Sequence, residues 1–325
     1  MMWECRALQI LKMVILTSLV SREPLRECAA HLRRLAGRVP TRLFVGYLML
    51  VMVACSGCQT QPKYTGLPRK TSIKNDGLKV LSDVKLAKDH ELLVDLENLR
   101  DEIATELNLP PQKQQVVVYL FGSEERYRDY MRSSFPQLPP RRAYFVGSSK
   151  ELAVYTFWGE RVQEDLRHEY THGILHATLK DVPLWLDEGL AEYFELAGKP
   201  GQINPEYASR LSEAIASGWE PDMARLERLE SVGQMQRSDY QEAWAWVHFM
   251  MHDGDDSRAV LLGYLKTLQT RKDAGSLVAR LQEDIPSFNV RFASYVATIR
   301  MPGEVQQASG KRPVIQHVLG QQPEE

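Results

Sequence analysis

The feature that most limits how this chain can fold is a pair of histidines four residues apart, His168 and His172, in the stretch HEYTH. On an α-helix this spacing puts both imidazoles on one face, roughly 40° apart around the axis, so both can reach one metal ion. Glu169 lies between them, and Glu188 follows in the segment WLDEGLAE. The pattern predicts a metal site shared by two helices, with a free acid beside it.

The sequence around the histidines predicts the two helices that such a site needs. Residues 161–179 contain no proline and place apolar residues at helical spacing, which indicates a helix with one buried face. Asp181 and Pro183 break this helix, and a second helix is predicted at about 184–197. Two helices joined by a short turn lie antiparallel, which returns Glu188 to the histidines. The alternative is that Glu188 belongs to a solvated acidic face.

These residue types predict a zinc ion, one per chain, with one coordination position left free. Catalytic zinc is bound by three protein ligands, and His168, His172 and Glu188 supply two neutral imidazoles and a carboxylate. Glu169 falls beside the open position, where it can accept a proton from the attacking water. The sequence therefore predicts a catalytic site rather than a structural one.

The segment HEYTHGILHATLKDVPLWLDEGLAEYFE resembles the gluzincin branch of zinc peptidases. It is similar to the bacterial peptidase-MA-like group, which includes a domain-of-unknown-function family common in planctomycetes. In gluzincins the Glu of the W-L-x-E-G helix is the third metal ligand, which maps onto Glu188. Weaker similarity runs from about 90 to 300. The resemblance implies a zincin-like metallopeptidase fold and hydrolysis of peptide bonds.

The resemblance also implies roles for residues around the metal. Tyr240, some fifty residues beyond Glu188, resembles the downstream Tyr or His that helps to hold the oxyanion; the alternative is a packing Tyr at a helix start. Glu192 sits where gluzincins keep an acid that accepts the second N–H of a ligand histidine, and Asp187 is a second possibility. Residues 152–158 match the edge strand that pairs with an extended substrate, or they form an ordinary core strand.

Three further histidines stand at helical spacing. His176 continues the row of four but drifts off the ligand face, so we expect it to support the site or to lie on the surface. His248 and His252 also stand four apart, yet no acid-rich helix follows them at a matching distance. We therefore expect these two to be ordinary helix residues.

The amino-acid composition of the chain limits the kinds of function that it can have. The chain has 325 residues, 44% hydrophobic and 25% charged, as in ordinary globular proteins. Its net charge is −2, and residues 1–42 hold eight basic against three acidic residues, so the remainder is acidic. This argues against nucleic acid as the main partner. All four cysteines precede residue 59, so a metal site in the body must use His and carboxylate ligands.

Residues 1–58 are predicted to direct export. Basic residues precede the apolar run 43–54, which is short for a membrane span, and small residues follow it. The ending VACSGCQ resembles a bacterial lipobox, with Cys58 favoured and Cys55 as the alternative lipidated residue; plain secretion is the other possibility. We expect an exported chain, lipid-anchored in the bacterial cell envelope at the periplasm or outer membrane. A second apolar run within residues 1–38 indicates an overlong start assignment or an extra membrane segment.

The remaining sequence predicts an α+β fold. A polar segment at 59–80 is predicted to be a tether, and 301–325 a disordered tail. Between them, the resemblance implies that 81–300 is a zincin-like metallopeptidase domain: a small N-terminal mixed sheet, with an edge strand before the active-site helix, then a mostly helical part. The elements predicted outside the two site helices are helices at 88–107, 123–132, 205–217, 221–230 and 240–252, two helices within 257–300, a strand at 116–121, and a hairpin of 142–146 and 152–158.

The function expected from the sequence is that of a zinc metallopeptidase acting on peptides or proteins in the cell envelope. One alternative is an inactive peptidase fold that serves as a binding or scaffold lipoprotein; the intact Glu169 argues against it. The other is a zinc amidase that acts on cell-wall peptides with the same chemistry.

Overall fold

The computed structural model describes residues 66–198 and 201–299. The predicted export region 1–58, with Cys55 and Cys58, and the predicted tail 301–325 lie outside the described residues. Among the helices of the described part, none combines the length and the apolar character that a membrane span requires.

A small mixed sheet forms the first half of the described chain and a mostly helical part follows it, so the predicted α+β class is confirmed. The sheet has five strands in the order β1-β2-β3-β5-β4. The outer pairs β1–β2 and β4–β5 are antiparallel, whereas β2–β3 and β3–β5 are parallel. The strands are β1 Thr71–Asn75, β2 Leu78–Ser82, β3 Val116–Phe121, β4 Tyr144–Gly147 and β5 Leu152–Phe157.

The predicted tether over 59–80 is wrong from residue 71 onward, because β1 and β2 form a hairpin that belongs to the sheet. The polar side chains of β1 fit an edge strand, where alternate residues face solvent. The missed signal is the Asp76-Gly77 pair between the two strands. Gly77 has a φ of +75°, which a two-residue hairpin turn requires and glycine adopts without strain.

The prediction that residues 152–158 form the sheet edge is also wrong. β5 lies inside the sheet, hydrogen-bonded to β3 on one side and to β4 on the other. Five of its six residues are buried, as a central strand demands, whereas no residue of β4 is fully buried. The edge strand next to the histidine helix is therefore β4, the first strand of the predicted hairpin.

The helices follow the predicted order with small shifts at their ends. The prediction omits the helix Leu277–Asp284, and it starts the helix Arg237–His252 three residues late. The helices are α1 Glu91–Glu106, α2 Glu124–Ser134, α3 Val162–Thr178, α4 Leu184–Glu195, α5 Pro205–Ala216, α6 Met223–Glu227, α7 Arg237–His252, α8 Asp255–Leu268, α9 Leu277–Asp284 and α10 Phe288–Thr298.

The sheet separates two hydrophobic cores because successive side chains of a strand point to opposite faces. Val116, Val118 and Leu120 of β3 face the larger core, with α1, α3 and the C-terminal helices. Their neighbours along β3 face a smaller aromatic core under α2. There the rings of Tyr119 and Tyr155 stack at 5.1 Å.

Two glycines allow the site helices to approach their supports closely. A Cβ on Gly173 of α3 would lie 2.7 Å from the Cγ1 atom of Val116, so α3 rests directly on the sheet. A Cβ on Gly189 of α4 would lie 2.7 Å from the carbonyl oxygen of Ala243 in α7. Because α4 packs against both α3 and α7, these contacts fix the face that α4 turns towards the histidines.

Candidate metal centre

Three predicted ligands meet where α3 faces α4. The Nε2 atoms of His168 and His172 lie 3.6 and 3.7 Å from the same carboxylate oxygen of Glu188. All three ligand atoms fall within 4.8 Å of one another, and His172 and Glu188 are buried. The group could hold a metal ion. The alternative of a solvated acidic face does not hold for Glu188, whose side chain is only 7% exposed.

A buried arginine fixes the helix that carries the histidines. Arg167 of α3 is 2% exposed, and its guanidinium lies 2.9 Å from Asp95 and 3.6 Å from Glu102, both on α1. Its Nε atom donates to the carbonyl oxygen of Phe194 near the end of α4, at 3.0 Å. Arg167 therefore ties α3 to α1 and α4 at the residue before His168.

Carboxylates hold the outer nitrogen of each ligand histidine. His168 Nδ1 lies 3.0 Å from Glu195, and His172 Nδ1 lies 3.0 Å from Asp187. His168 Nδ1 is hydrogen-bonded to Glu195, and an ionised carboxylate can only accept, so this nitrogen carries the proton and, in the neutral ring, Nε2 keeps its lone pair for a metal ion. Asp187 thus lies at the outer nitrogen of His172, where the sequence analysis places a supporting carboxylate.

Glu192, the first choice for that role in the sequence analysis, does not make this contact. It accepts a hydrogen bond from the Tyr207 hydroxyl at 3.0 Å, and Glu195 takes its place beside His168. Glu195 lies two helical turns beyond Glu188 and Glu192 lies one turn beyond it, so both are on the same face of α4 and spacing alone does not decide between them. Burial raises the pKa of Glu192 to about 7, and the neighbouring Glu195 adds to this.

A second grouping of possible ligand atoms overlaps the first. His168, Glu192 and Glu195 also lie within 4.8 Å of one another. The contact of Glu195 with His168 Nδ1 and that of Tyr207 with Glu192 account for this grouping without a metal ion. The more buried trio with Glu188 is therefore the candidate metal centre.

Glu169 lies on the edge-strand side of the centre. Its carboxylate accepts a hydrogen bond of 2.6 Å from the backbone N–H of Phe145 in β4. Burial raises the pKa of Glu169 above its ordinary value, while the charges of His168 and His172 oppose the shift. The acid therefore sits beside the ligands without being one of them, as the sequence predicts for a general base. Sequence spacing gave no signal for the Phe145 contact.

Without a metal ion, the pKa values of the two histidines of the centre are raised. Burial disfavours charged imidazoles, yet Glu188 and Glu195 keep the pKa of His168 well above its ordinary value, and Asp187 raises the pKa of His172 to about 9. Burial would raise the pKa of Glu188, but the two imidazoles lower it. The pocket favours positive charge between the carboxylates, which a bound cation would supply in place of protons.

Tyr240 lies close to the centre, on the first turn of α7. The positive charge of the Arg141 guanidinium acts on its hydroxyl and lowers its pKa. Burial and then the charge of Glu188 raise the pKa of Tyr240, so its hydroxyl stays protonated at neutral pH. Its role beside the metal site stays a prediction.

His176 supports the site from its solvent side. Its Nε2 atom lies 3.0 Å from the same Asp187 oxygen that faces His172, and its side chain is 40% exposed. The Phe145 ring lies 5.1 Å from the His176 ring and 6.1 Å from the His172 ring. Both predicted roles, support and surface, apply to His176.

His248 and His252 take part in packing. His248 is hydrogen-bonded to the Tyr295 hydroxyl at 2.5 Å and to the Gly201 carbonyl at 3.1 Å, and His252 to the Tyr193 hydroxyl at 2.8 Å. Within residues 66–198 and 201–299, neither belongs to a group that could hold a metal ion. This agrees with their prediction as ordinary helix residues.

The fold and the centre together define an α+β protein with a buried two-histidine, one-glutamate group that could hold a metal ion. A family model described as "Protein of unknown function (DUF1570)" matches residues 164–273, which include all three ligands. A comparison with curated proteins finds no match.

Proposed function

We propose that this chain is a zinc-dependent metallopeptidase that hydrolyses peptide bonds. The observation that carries the proposal is the convergence of His168, His172 and Glu188 on one point, with the separate acid Glu169 held beside it. A metal site used only for structure needs no such acid. The resemblance of the motif to gluzincins adds support from the sequence.

The spacing of the ligand atoms fits zinc. Ligand atoms about 2.0–2.1 Å from a tetrahedral zinc ion lie about 3.4 Å from one another. The two imidazole Nε2 atoms lie 3.6 and 3.7 Å from one Glu188 oxygen, which is too long for direct hydrogen bonds and near this separation. Two nitrogens and one carboxylate oxygen are also a donor set that zinc accepts.

In the proposed reaction, each residue around the zinc ion has a separate role. Zinc, when bound, would lower the pKa of a nearby water and polarise the substrate carbonyl. Glu169 accepts the proton of the attacking water and delivers it to the leaving amine. Tyr240 donates a hydrogen bond to the oxygen on which negative charge develops. The exposed edge of β4 offers backbone groups to an extended peptide.

The proposed place of action follows from the N-terminal sequence. The basic stretch, the apolar run 43–54 and the lipobox-like ending at Cys58, or Cys55, support export with a lipid anchor in the bacterial cell envelope. We therefore propose peptides or proteins of the envelope as substrates, and no nucleic acid partner. An amidase acting on cell-wall peptides would use the same residues on another amide.

The test combines metal analysis with digestion of a peptide library. We expect about one zinc per chain. Glu169→Gln should keep the zinc and lose about 10²–10⁴-fold in turnover, because the base is gone while the ligands remain. Glu91→Gln, on the exposed start of α1, is the matched control and should cleave like the wild type.

Three results would decide against parts of this proposal. Protein that stays metal-free after careful preparation would favour the scaffold alternative. Unchanged hydrolysis by Glu169→Gln would remove Glu169 as the base. Cleavage of cell-wall peptides, with none in the library, would favour the amidase.

A further inference from the structure

Three arginines line the cleft that leads to the metal centre. They are Arg141, Arg142 and Arg161, and the cleft also contains His168 and Glu169. The cleft also has an acidic wall, formed by four carboxylates of α3 and α4: Glu164, Asp165, Glu192 and Glu195. Whether an arginine of this cleft can bind a ligand therefore depends on whether one of these carboxylates already pairs with it.

Two of the three arginines are paired with that acidic wall. Arg142 lies 2.5 Å from Asp165, and Arg161 donates to Glu164 at 2.9 Å. Arg141 is different: within the described ranges 66–198 and 201–299, no carboxylate forms an ion pair with it. Its guanidinium carbon lies 5.9 Å from the centre of the Tyr144 ring. Its charge is thus available to a ligand.

The backbone that carries Arg141 is held in place. The Tyr127 hydroxyl donates to the carbonyl oxygen of Arg141 at 3.1 Å. The Thr156 hydroxyl donates to the next carbonyl, that of Arg142, at 3.3 Å. The Arg141 side chain is exposed, so its backbone position is fixed while its guanidinium remains accessible to solvent. Such a guanidinium can meet a carboxylate at a defined distance from the scissile bond.

We propose that Arg141 sets the substrate specificity of the centre by binding a carboxylate of the peptide close to the cleaved bond. The inference rests on the proposed peptidase function. The carboxylate is either the C-terminus of the peptide or an Asp or Glu side chain, since a guanidinium binds both alike. Glu192 and Glu195 in the cleft would repel such a group, so we expect the peptide carboxylate to bind at Arg141.

The experiment uses two pairs of matched peptides with the zinc-loaded protein. One pair differs in the C-terminal group, acid against amide, and the other exchanges a single Glu for Gln beside the cleaved bond. Wild type should prefer the acidic member of at least one pair by about tenfold in kcat/KM. Arg141→Met should abolish the preference, and Arg141→Glu should reverse it. Arg161→Met, whose guanidinium is already paired, is the matched control and should keep it.

Binding to the Glu169→Gln variant provides a readout that does not need turnover. Its affinity for the acidic peptide should fall about tenfold when Arg141→Met is added, and its affinity for the amide or Gln peptide should not change. A uniform loss across all peptides, or a preference that survives Arg141→Met, would overturn the specificity role. Zinc-loaded wild type that cleaves nothing would instead contradict the peptidase function, and the binding result would still report on Arg141.

Discussion

At the scale of single residues, three glutamates of α4 show how position decides chemistry. Glu188 faces both imidazole Nε2 atoms, Glu195 faces the outer nitrogen of His168, and Glu192 accepts from Tyr207 instead. All three follow helical spacing in the sequence, so the pattern alone does not separate them. Their different partners predict different effects on metal binding.

Glu188→Ala should weaken zinc binding far more than Glu192→Ala. The first change removes a ligand atom, whereas the second leaves all three ligands and both outer hydrogen-bond partners in place. We expect a loss of at least about 100-fold in affinity for Glu188→Ala and less than about tenfold for Glu192→Ala. Competition with a chromophoric chelator measures both. Equal losses in the two variants would contradict the assignment of Glu188.

The sequence predicts the centre well where a single helix determines the geometry. His168, Glu169 and His172 follow from a spacing of four, and Glu188 follows from a short turn between antiparallel helices. The contact between Glu169 and Phe145 does not follow in this way, because it depends on which strand forms the sheet edge. Contacts that depend on tertiary packing were beyond the reach of spacing rules.

At the scale of secondary-structure elements, the centre depends on how closely α4 approaches α7. The absence of a side chain at Gly189 permits the contact with the Ala243 backbone. Glu188 is the residue before this glycine, so a change in the distance between α4 and α7 moves a ligand. We therefore expect packing and metal binding to be coupled at this position.

Gly189→Ala should destabilise the protein by about 1–3 kcal/mol, because the new methyl group would lie 2.7 Å from a backbone oxygen and α4 must shift. Zinc affinity should fall with it. Gly263→Ala in α8 is the matched control: its Cβ meets nothing within 4 Å, so the helix should gain about 0.5–1 kcal/mol. Denaturant unfolding and zinc titration test both. A stable Gly189→Ala variant with full zinc affinity would contradict the coupling.

The sequence predicts secondary-structure elements correctly where the periodicity of hydrophobic residues is strong. It fails where an element's place in the structure depends on tertiary packing. The strand at 116–121 is found at the same residues, and Ser123 caps α2 as its position suggests. The β1–β2 hairpin was missed because an edge strand with polar residues resembles a tether. The edge position of β4 was missed because strand order is set by pairing, which hydrophobic alternation does not encode.

At the scale of the whole molecule, the protons of the metal-free centre make stability depend on pH. The pKa of His172 is about 9 in the folded chain, above the value of about 6.5 for a free imidazole. A raised pKa contributes stability that is complete below pH 6.5 and is lost as pH rises towards 9. The pKa of Glu192 is raised to about 7, so this group also contributes stability that is lost as pH rises, over a lower pH range than for His172.

Metal-free protein should therefore lose up to about 3 kcal/mol of stability between pH 6.5 and 9. Zinc requires neutral rings, so its binding should release protons and its apparent affinity should rise over the same range. Thermal unfolding with chelator present, and calorimetry in buffers of different ionisation enthalpy, measure the two effects. His172→Gln should flatten the stability curve. A metal-free wild type equally stable at both pH values would contradict this account.

The anchoring of Arg167 limits how the centre could be transferred to another protein. A segment containing only α3 and α4 would include every metal ligand, but not the two α1 carboxylates that neutralise the buried guanidinium. Grafted alone, it would bring an uncompensated charge into a foreign core, at a cost of several kcal/mol. The smallest portable module for protein design therefore begins at α1, whose first residue, Glu91, lies 77 residues before His168.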